Sequence, residues 1–315
     1  MASTRFKKTP FHFLQYIALQ SFCWVLRCLP YSIAVSWTRR IMGWTRFFLP
    51  KRFKLVQHNI QLAFPEKSPQ EVYGIALESW RNMGGILAEF VKLSHMKPEE
   101  FKKHCKIVGF DKVLKADFHT GGIIHIGHFT NWEAFGLASS AYGIDKAVLA
   151  QRVDNPYVDK EINRLRNIIS GRTFYSNHDA KPFFTCMRWL KKKGMLGILF
   201  DQNVISAEIW LPFLGRICAW SPITALLAIK MQVPVFPVKV TRDDKGIIVC
   251  EILEPLTPPV EYSPQNVRQF TKLLVGYYEQ WIKEDPASWL WAHNRWKREK
   301  EGLKYLAQHP EENVE

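Results

Sequence analysis

Between residues 106 and 252 short apolar runs alternate with helix-length stretches, and no other feature of this 315-residue chain constrains its fold as much. The runs are 122–126, 147–150, 195–200, 235–240 and 247–252, after a first element at 106–114. Between them lie helical stretches at 131–142, 158–170, 181–193 and 221–231. Strands that are apolar throughout are buried on both faces, and strands joined by helices run parallel. The expected fold is therefore α/β, a mainly parallel mixed sheet flanked by helices. Upstream, Phe53, Val56, Ile60 and Phe64 mark a helix over 51–64 that Pro65 stops. Ser68-Pro69-Gln70-Glu71 opens the next, with Ser68 as N-cap, Pro69 in the first turn and Glu71 closing a capping box. That helix runs to about Leu93, with Gly84-Gly85 a weak point inside it. A last helix over 264–282 leads into the Trp-rich, basic stretch 288–297. The chain divides into an N-terminal segment (1–50), a helical lead-in (51–108), an α/β core with its C-terminal helix (109–298) and a tail (299–315), frayed over 311–315.

The net charge of +14 is unevenly placed: the first acidic residue is Glu66, and ten basic residues precede it. A basic, aromatic, acid-free N-terminus suits nucleic acid or an anionic membrane, and its apolar content selects the membrane. Residues 11–26 carry no formal charge, a run shorter than the roughly 20 residues a span needs. No small-residue cleavage site follows it. Residues 31–49 place Trp37, Trp44, Phe47 and Phe48 among Arg39, Arg40 and Arg46, the composition of an interfacial amphipathic segment. The N-terminus is thus expected as a membrane-associated helical segment, with crossing and lying in the interface both open for 11–29. The six cysteines are scattered without a CxxC pair, so neither a zinc knuckle nor a disulfide framework is expected.

The chemistry concentrates at Gly127-His128-Phe129-Thr130-Asn131-Trp132-Glu133, where a buried strand gives way to a helix. Parallel sheets place ligands at the carboxyl ends of their strands, where His128 falls. With His128 in the turn and Glu133 in the first helical turn, the carboxylate can sit behind the imidazole, the minimum equipment for taking a proton from a hydroxyl. Thr130-x-x-Glu133 also reads as a capping box, which would occupy Glu133 with helix-start amides. His125 and His128 lack a third ligand nearby, so no metal site is expected. Arg152, Arg164 and Arg166 follow the second run and could receive a phosphate or another oxyanion, or form a solvated helix face. Asp201-Gln202 ends a strand at the same sheet edge, as a second polar cluster or a capping carboxylate. The stretch from there to Pro212-Phe213-Leu214-Gly215 is expected as a loop-built aromatic wall suited to an alkyl chain.

Taken together, these blocks resemble the lipid A late acyltransferases, the lauroyl/myristoyl transferase family of lipopolysaccharide biosynthesis. The likeness is collinear from about residue 10 to about 298. Gln57-His58-Asn59 through Phe64-Pro65 is similar to the family's opening block, and the stretch from His128 to Glu133 to its H-x4-[DE] block. Arg152-x-x-Asn155-Pro156 with Arg164, Arg166 and Gly171 resembles the second block, and Asp201-Gln202 with Phe213-Leu214-Gly215 the third. Trp289-Leu290-Trp291-Ala292-His293-Asn294-Arg295-Trp296-Lys297 resembles the C-terminal signature. Phe-Leu-Gly stands where Phe-Phe-Gly is usual, and Asn294-Arg295-Trp296 where many members have Arg-Arg-Phe. The resemblance implies a glycerolipid-acyltransferase-like fold at the cytoplasmic face of the inner membrane. It implies acyl transfer from an acyl-carrier-protein thioester to a hydroxyl of a lipid A precursor, with no cofactor and no nucleic-acid partner. It makes His128 the general base and Glu133 its orienting acid, Arg166 and nearby amides the oxyanion donors. Asn131, Arg152, Arg164, Arg166, Asp201, Phe213 and Gly215 would bind substrate. The alternatives are a same-family transferase acting on another glycolipid or aminolipid, and a non-catalytic lipid-binding membrane protein.

Overall fold

Alternate residues of the central strands feed two separate cores. The computed structural model describes residues 9–115, 121–141, 143–168, 171–175, 181–204 and 209–312. Within them a seven-stranded sheet has the order β1-β9-β8-β2-β5-β3-β4. The strands are β1 (Cys105–Val108), β2 (Gly122–His125), β3 (Lys146–Ala150), β4 (Gly171–Tyr175), β5 (Met195–Ile198), β8 (Val235–Arg242) and β9 (Ile248–Ile252). Every neighbouring pair is parallel except β8 with β9. Ile123, Leu196 and Val235 point into one core and Ile124, Met195 and Phe236 into the other, as a two-residue period requires. Against the first face pack α9 (Lys181–Lys191), α10 (Ile223–Met231) and α11 (Pro264–Glu284). The second face takes α7 (Trp132–Ala141) and the end of α4 (Pro69–Leu93). The α/β expectation holds, with strand ends within two residues of those read from the apolar runs.

Several elements escaped the sequence reading. Edge strand β4 has no fully buried residue and carries Arg172 and Thr173, so it lacks the unbroken apolar run of its neighbours. The expected wall after Asp201 is a hairpin, β6 (Ile209–Phe213) with β7 (Arg216–Trp220), set apart from the main sheet. Its turn has φ +50 at Leu214 and +77 at Gly215. Positive φ at both central residues is what a two-residue hairpin turn matching strand twist requires, and Gly215 meets it without a Cβ penalty. The expected tail contains a helix over Glu299–Gln308 that buries Leu306 beside the hairpin. Tyr142, Ile169, Ser170 and 313–315, parts of expected elements, lie outside the described residues.

The N-terminal half of the scaffold is helical: α1 (Pro10–Cys28), α2 (Tyr31–Phe48) and α3 (Pro50–Ala63) lead to α4. Ser68 caps α4 with the reciprocal box to Glu71. The helix runs unbroken through Gly84-Gly85. A β-carbon on Gly84 would overlap the carbonyl of Thr38 in α2, so the glycine lets the two helices approach. Gly74, exposed on the same helix, has open space around it. Gly84→Ala is therefore expected to destabilise the fold by about 1–3 kcal/mol through overpacking. Gly74→Ala should instead stabilise it by about 0.5–1 kcal/mol through helix propensity. Urea-unfolding midpoints of the two variants, compared with the parent, check the opposite signs.

Candidate active site

The chain leaves β2 through Ile126 and Gly127, where a β-carbon on the glycine would collide with Phe129 and Tyr278. His128 stands in the turn that follows, with its ring mostly covered. Its Nδ1 lies 2.7 Å from Oδ1 of Asp201, and its backbone amide donates to Oδ2 of the same carboxylate at 2.8 Å. Asp201 ends the segment leaving β5, the strand beside β2, and is 1% exposed. Trp289 Nε1 adds a third donor at 2.8 Å. Burial by itself raises the Asp201 pKa, but the His128 charge and the hydrogen bonds from His128 and Trp289 outweigh it and bring it down to about 2. The carboxylate is ionised, so Nδ1 carries the proton and Nε2 presents its lone pair. That lone pair accepts from Gln202 Nε2 at 3.2 Å, and the ring meets Trp132 edge-on.

Asp201, not Glu133, is therefore the acid behind the histidine. Glu133 faces the Arg166 guanidinium, which donates Nε–H to Oε2 at 3.1 Å and Nη2–H to Oε1. Five positions along a helical start rotate the two side chains apart, and the arginine from α8 (Pro156–Ile168) takes the carboxylate. The capping reading is corrected as well. Asn131 caps α7, its Oδ1 accepting from the amide of Ala134 at 3.2 Å. Thr130 takes a φ of +46 and donates its amide to the carbonyl of Ser288 at 2.8 Å.

Asn131 is fully buried, so the substrate-binding role expected of it is also corrected: its Nδ2 donates to Glu89 of α4 at 2.8 Å. Glu89, itself fully buried, pairs with Arg242 at 2.7 Å and accepts from Tyr31 at 3.3 Å. A buried carboxylate needs such partners, and these tie the catalytic turn to the N-terminal helices. Asp201 is likewise buried and holds the His128 ring, so the substrate-binding role expected of it is corrected too.

A cavity of about 1120 Å³ opens where the carboxyl ends of β2, β3 and β5 converge. His128, Glu133, Lys146, Arg152, Arg166, Gln202 and His293 are among its polar lining, and Ile124, Phe135, Ile144 and Met195 among its apolar lining. Arg152 and Arg166 thus meet there, Arg152 also lying over the Tyr175 ring at 4.5 Å. Arg164 does not join them: it is half exposed and pairs with Glu161 at 2.7 Å. Phe213 and Gly215 do not line the cavity either. Phe213 is buried against Trp220 and Trp289, and Gly215 forms the hairpin turn, so this half of the third block supports the site while Gln202 of its first half lines the cavity. His125 is a core residue, its Nε2 3.0 Å from the carbonyl of Leu274 and its pKa pushed down to about 3 by burial.

The C-terminal segment closes the arrangement. Phe129 and Trp289 form an antiparallel bridge, and Leu290 donates to the carbonyl of His128 at 3.1 Å. Asn59 of α3 holds the carbonyls of Trp291 and His293, each at 2.8 Å. Trp289 and His293, both in the signature block, meet the site although the sequence does not single them out as site residues.

Replacing Asp201 by Asn removes the charge that selects the Nδ1–H tautomer, and kcat should fall by about 10³–10⁴-fold. Ring ¹⁵N NMR of His128 should show the tautomer altered in Asp201→Asn and unchanged in Glu133→Gln. An altered tautomer in Glu133→Gln alone would return the orienting role to that residue.

The sequence matches the family described as bacterial lipid A biosynthesis acyltransferase over residues 4–298. It is 23% identical to the lipid A biosynthesis lauroyltransferase of Escherichia coli (strain K12) over 291 residues, covering 89% of this chain and 90% of that protein. With the palmitoleoyltransferase of the same organism it shares 22% over 280 residues, covering 87% and 88%. The solved 1-acyl-sn-glycerophosphate acyltransferase of Thermotoga maritima is 14% identical, with a TM-score of 0.37 over 86% of this chain and 98% of that one. By the match along nearly its whole length, this chain belongs to the bacterial lipid A biosynthesis acyltransferases, enzymes that transfer acyl groups.

Proposed function

We propose that the protein moves a fatty acyl chain from an acyl-carrier-protein thioester to a hydroxyl of a lipid A precursor, at the cytoplasmic face of the inner membrane. The observation that carries this reading is the His128 Nε2 lone pair, backed by a buried carboxylate, on the wall of a cavity lined by both polar and apolar side chains. In the reaction the acceptor hydroxyl displaces Gln202 from Nε2 and gives its proton to His128 as its oxygen attacks the thioester carbonyl. Asp201 stabilises the imidazolium that forms. Thioesters are already activated, so no acyl-enzyme is required. Arg152 and the Glu133–Arg166 pair form the polar wall against which the acceptor's phosphate and hydroxyl oxygens settle. The apolar side chains of the lining receive the alkyl chain.

No helix among the described residues is long and apolar enough to cross a membrane. The interfacial mode fits instead: Phe11, Leu14, Trp24, Trp44, Phe47 and Phe48 are each at least 65% exposed along α1 and α2. Arg40, Arg46, Lys51 and Arg52 lie among or just beyond them, an arrangement that suits anionic headgroups. Arg39 is engaged with Glu78.

Purified protein given a lipid A precursor and a panel of acyl-carrier-protein thioesters should yield an acylated product by mass spectrometry. Wild-type protein active only on another lipid would move the acceptor assignment; His128→Ala with wild-type turnover would remove the mechanism. The double variant Trp44→Glu, Phe48→Glu should bind anionic phospholipid vesicles at least about 10²-fold more weakly, since each aromatic contributes about 1.5–3 kcal/mol on burial. Vesicle co-sedimentation measures this, and unchanged partitioning would exclude this face as the contact.

A further inference from the structure

Attack on a thioester carbonyl places negative charge on its oxygen, and a site that catalyses it needs donors aimed at that atom. The backbone amides first expected for this are occupied, and the guanidinium of Arg166 is turned to Glu133. The amide of His128 goes to Asp201, that of Phe129 to the carbonyl of Gly127, and that of Thr130 to the carbonyl of Ser288. Arg166 gives two of its donors to Glu133, and the Gln202 amide covers His128 Nε2.

His293 offers a different kind of donor. Its ring is half-buried and it lines the cavity within electrostatic reach of His128 and Asp201. The backbone amide of Asn203 donates to its Nε2 at 2.8 Å, so that nitrogen carries no proton and the ring hydrogen is on Nδ1. Among the described residues Nδ1–H has no protein acceptor. Burial, aided by Arg295, brings the ring pKa down to about 4, so the imidazole is neutral when His128 must work as a base. Its place is fixed from both sides: Asn59 holds its carbonyl, and Asn203 directly follows the Gln202 that touches His128. A neutral imidazole of fixed tautomer can polarise a carbonyl without supplying a competing acid.

We propose that His293 is a further catalytic residue whose Nδ1–H donates to the thioester carbonyl oxygen and holds the oxyanion. The inference rests on the acyl-transfer reading above. The hydroxyl oxygen forms its bond to the carbonyl carbon as His128 takes the proton, and the carbonyl π pair moves onto the oxygen facing His293. The pair then returns, the carbon–sulfur bond breaks, and the departing thiolate takes the proton from His128. His293 gives up no proton in either step.

Two substitutions separate this role from a structural one. In His293→Asn the amide nitrogen can occupy the Nδ1 position, which keeps the donor and loses the acceptor for Asn203. In His293→Gln the amide oxygen can occupy the Nε2 position, which keeps that acceptor and loses the donor. With a dodecanoyl thioester of acyl carrier protein, both transfer to a lipid A precursor and hydrolysis by water pass through the same oxyanion. His293→Gln should lose about 10²-fold or more in kcat for both, with little change in KM. His293→Asn should stay within about 10-fold of the parent. The reverse order, or equal losses in two variants whose circular dichroism matches the parent, would overturn the proposal. A parent enzyme that hydrolyses the thioester but leaves the lipid A precursor untouched would contradict the acceptor assignment, while the order of the variants in hydrolysis still decides the role of His293.

Discussion

One carboxylate organises the site. Asp201 accepts from the ring and the backbone of His128 and from the indole of Trp289, which joins three distant parts of the chain at a group with almost no exposure. Burying a charge is costly unless its lone pairs are filled, and here the filling is the catalytic geometry itself. Removing any one partner leaves the others with an under-satisfied carboxylate. The tautomer of the base, the path of the turn and the seat of the C-terminal segment therefore depend on one another. This contact holds the His128 ring at the edge of a parallel sheet.

A second buried carboxylate does for the following helix what Asp201 does for the turn. Glu89 receives Asn131, the residue that caps α7, and is balanced by Arg242 from β8. Tyr31, the first residue of α2, reaches the same group. The aromatic face of the N-terminal helices is thus two hydrogen bonds from the catalytic turn. The close approach of α2 and α4 at Gly84 leaves little room for the helices to shift independently.

Much of this was legible from residue order. The central strands are unbroken apolar runs, and the capping box at Ser68 is local chemistry, so both could be read directly. His128 could be placed at a strand end for the same reason. Its partner could not: His128 and Asp201 lie 73 positions apart, brought together only because β2 and β5 are neighbours in the sheet. A sequence shows Glu133 nearby and says nothing of strand order, so the near carboxylate was chosen over the far one. Phe213 and Gly215 misled for a related reason. A motif marks residues that a fold needs, whether they touch substrate or, as here, shape a hairpin and fill the core under Trp289. The hairpin itself was hidden because its pattern, interrupted by Pro212, resembles a loop.

The bridge between Phe129 and Trp289 also bears on how the enzyme comes into being. Synthesis runs from the N-terminus, and a domain generally folds as a unit. The sheet strands through Ile252 can be synthesised well before the residues that complete the site at 289–293 appear. Until then Asp201 lacks its indole donor, and the turn lacks the strand-like partner that holds Phe129 and Thr130. The strands and most of the cavity lining precede Trp289 in the chain, while the indole donor to Asp201, the partner of Phe129 and the His293 ring all come after them, so the turn that carries His128 is completed only by this late segment.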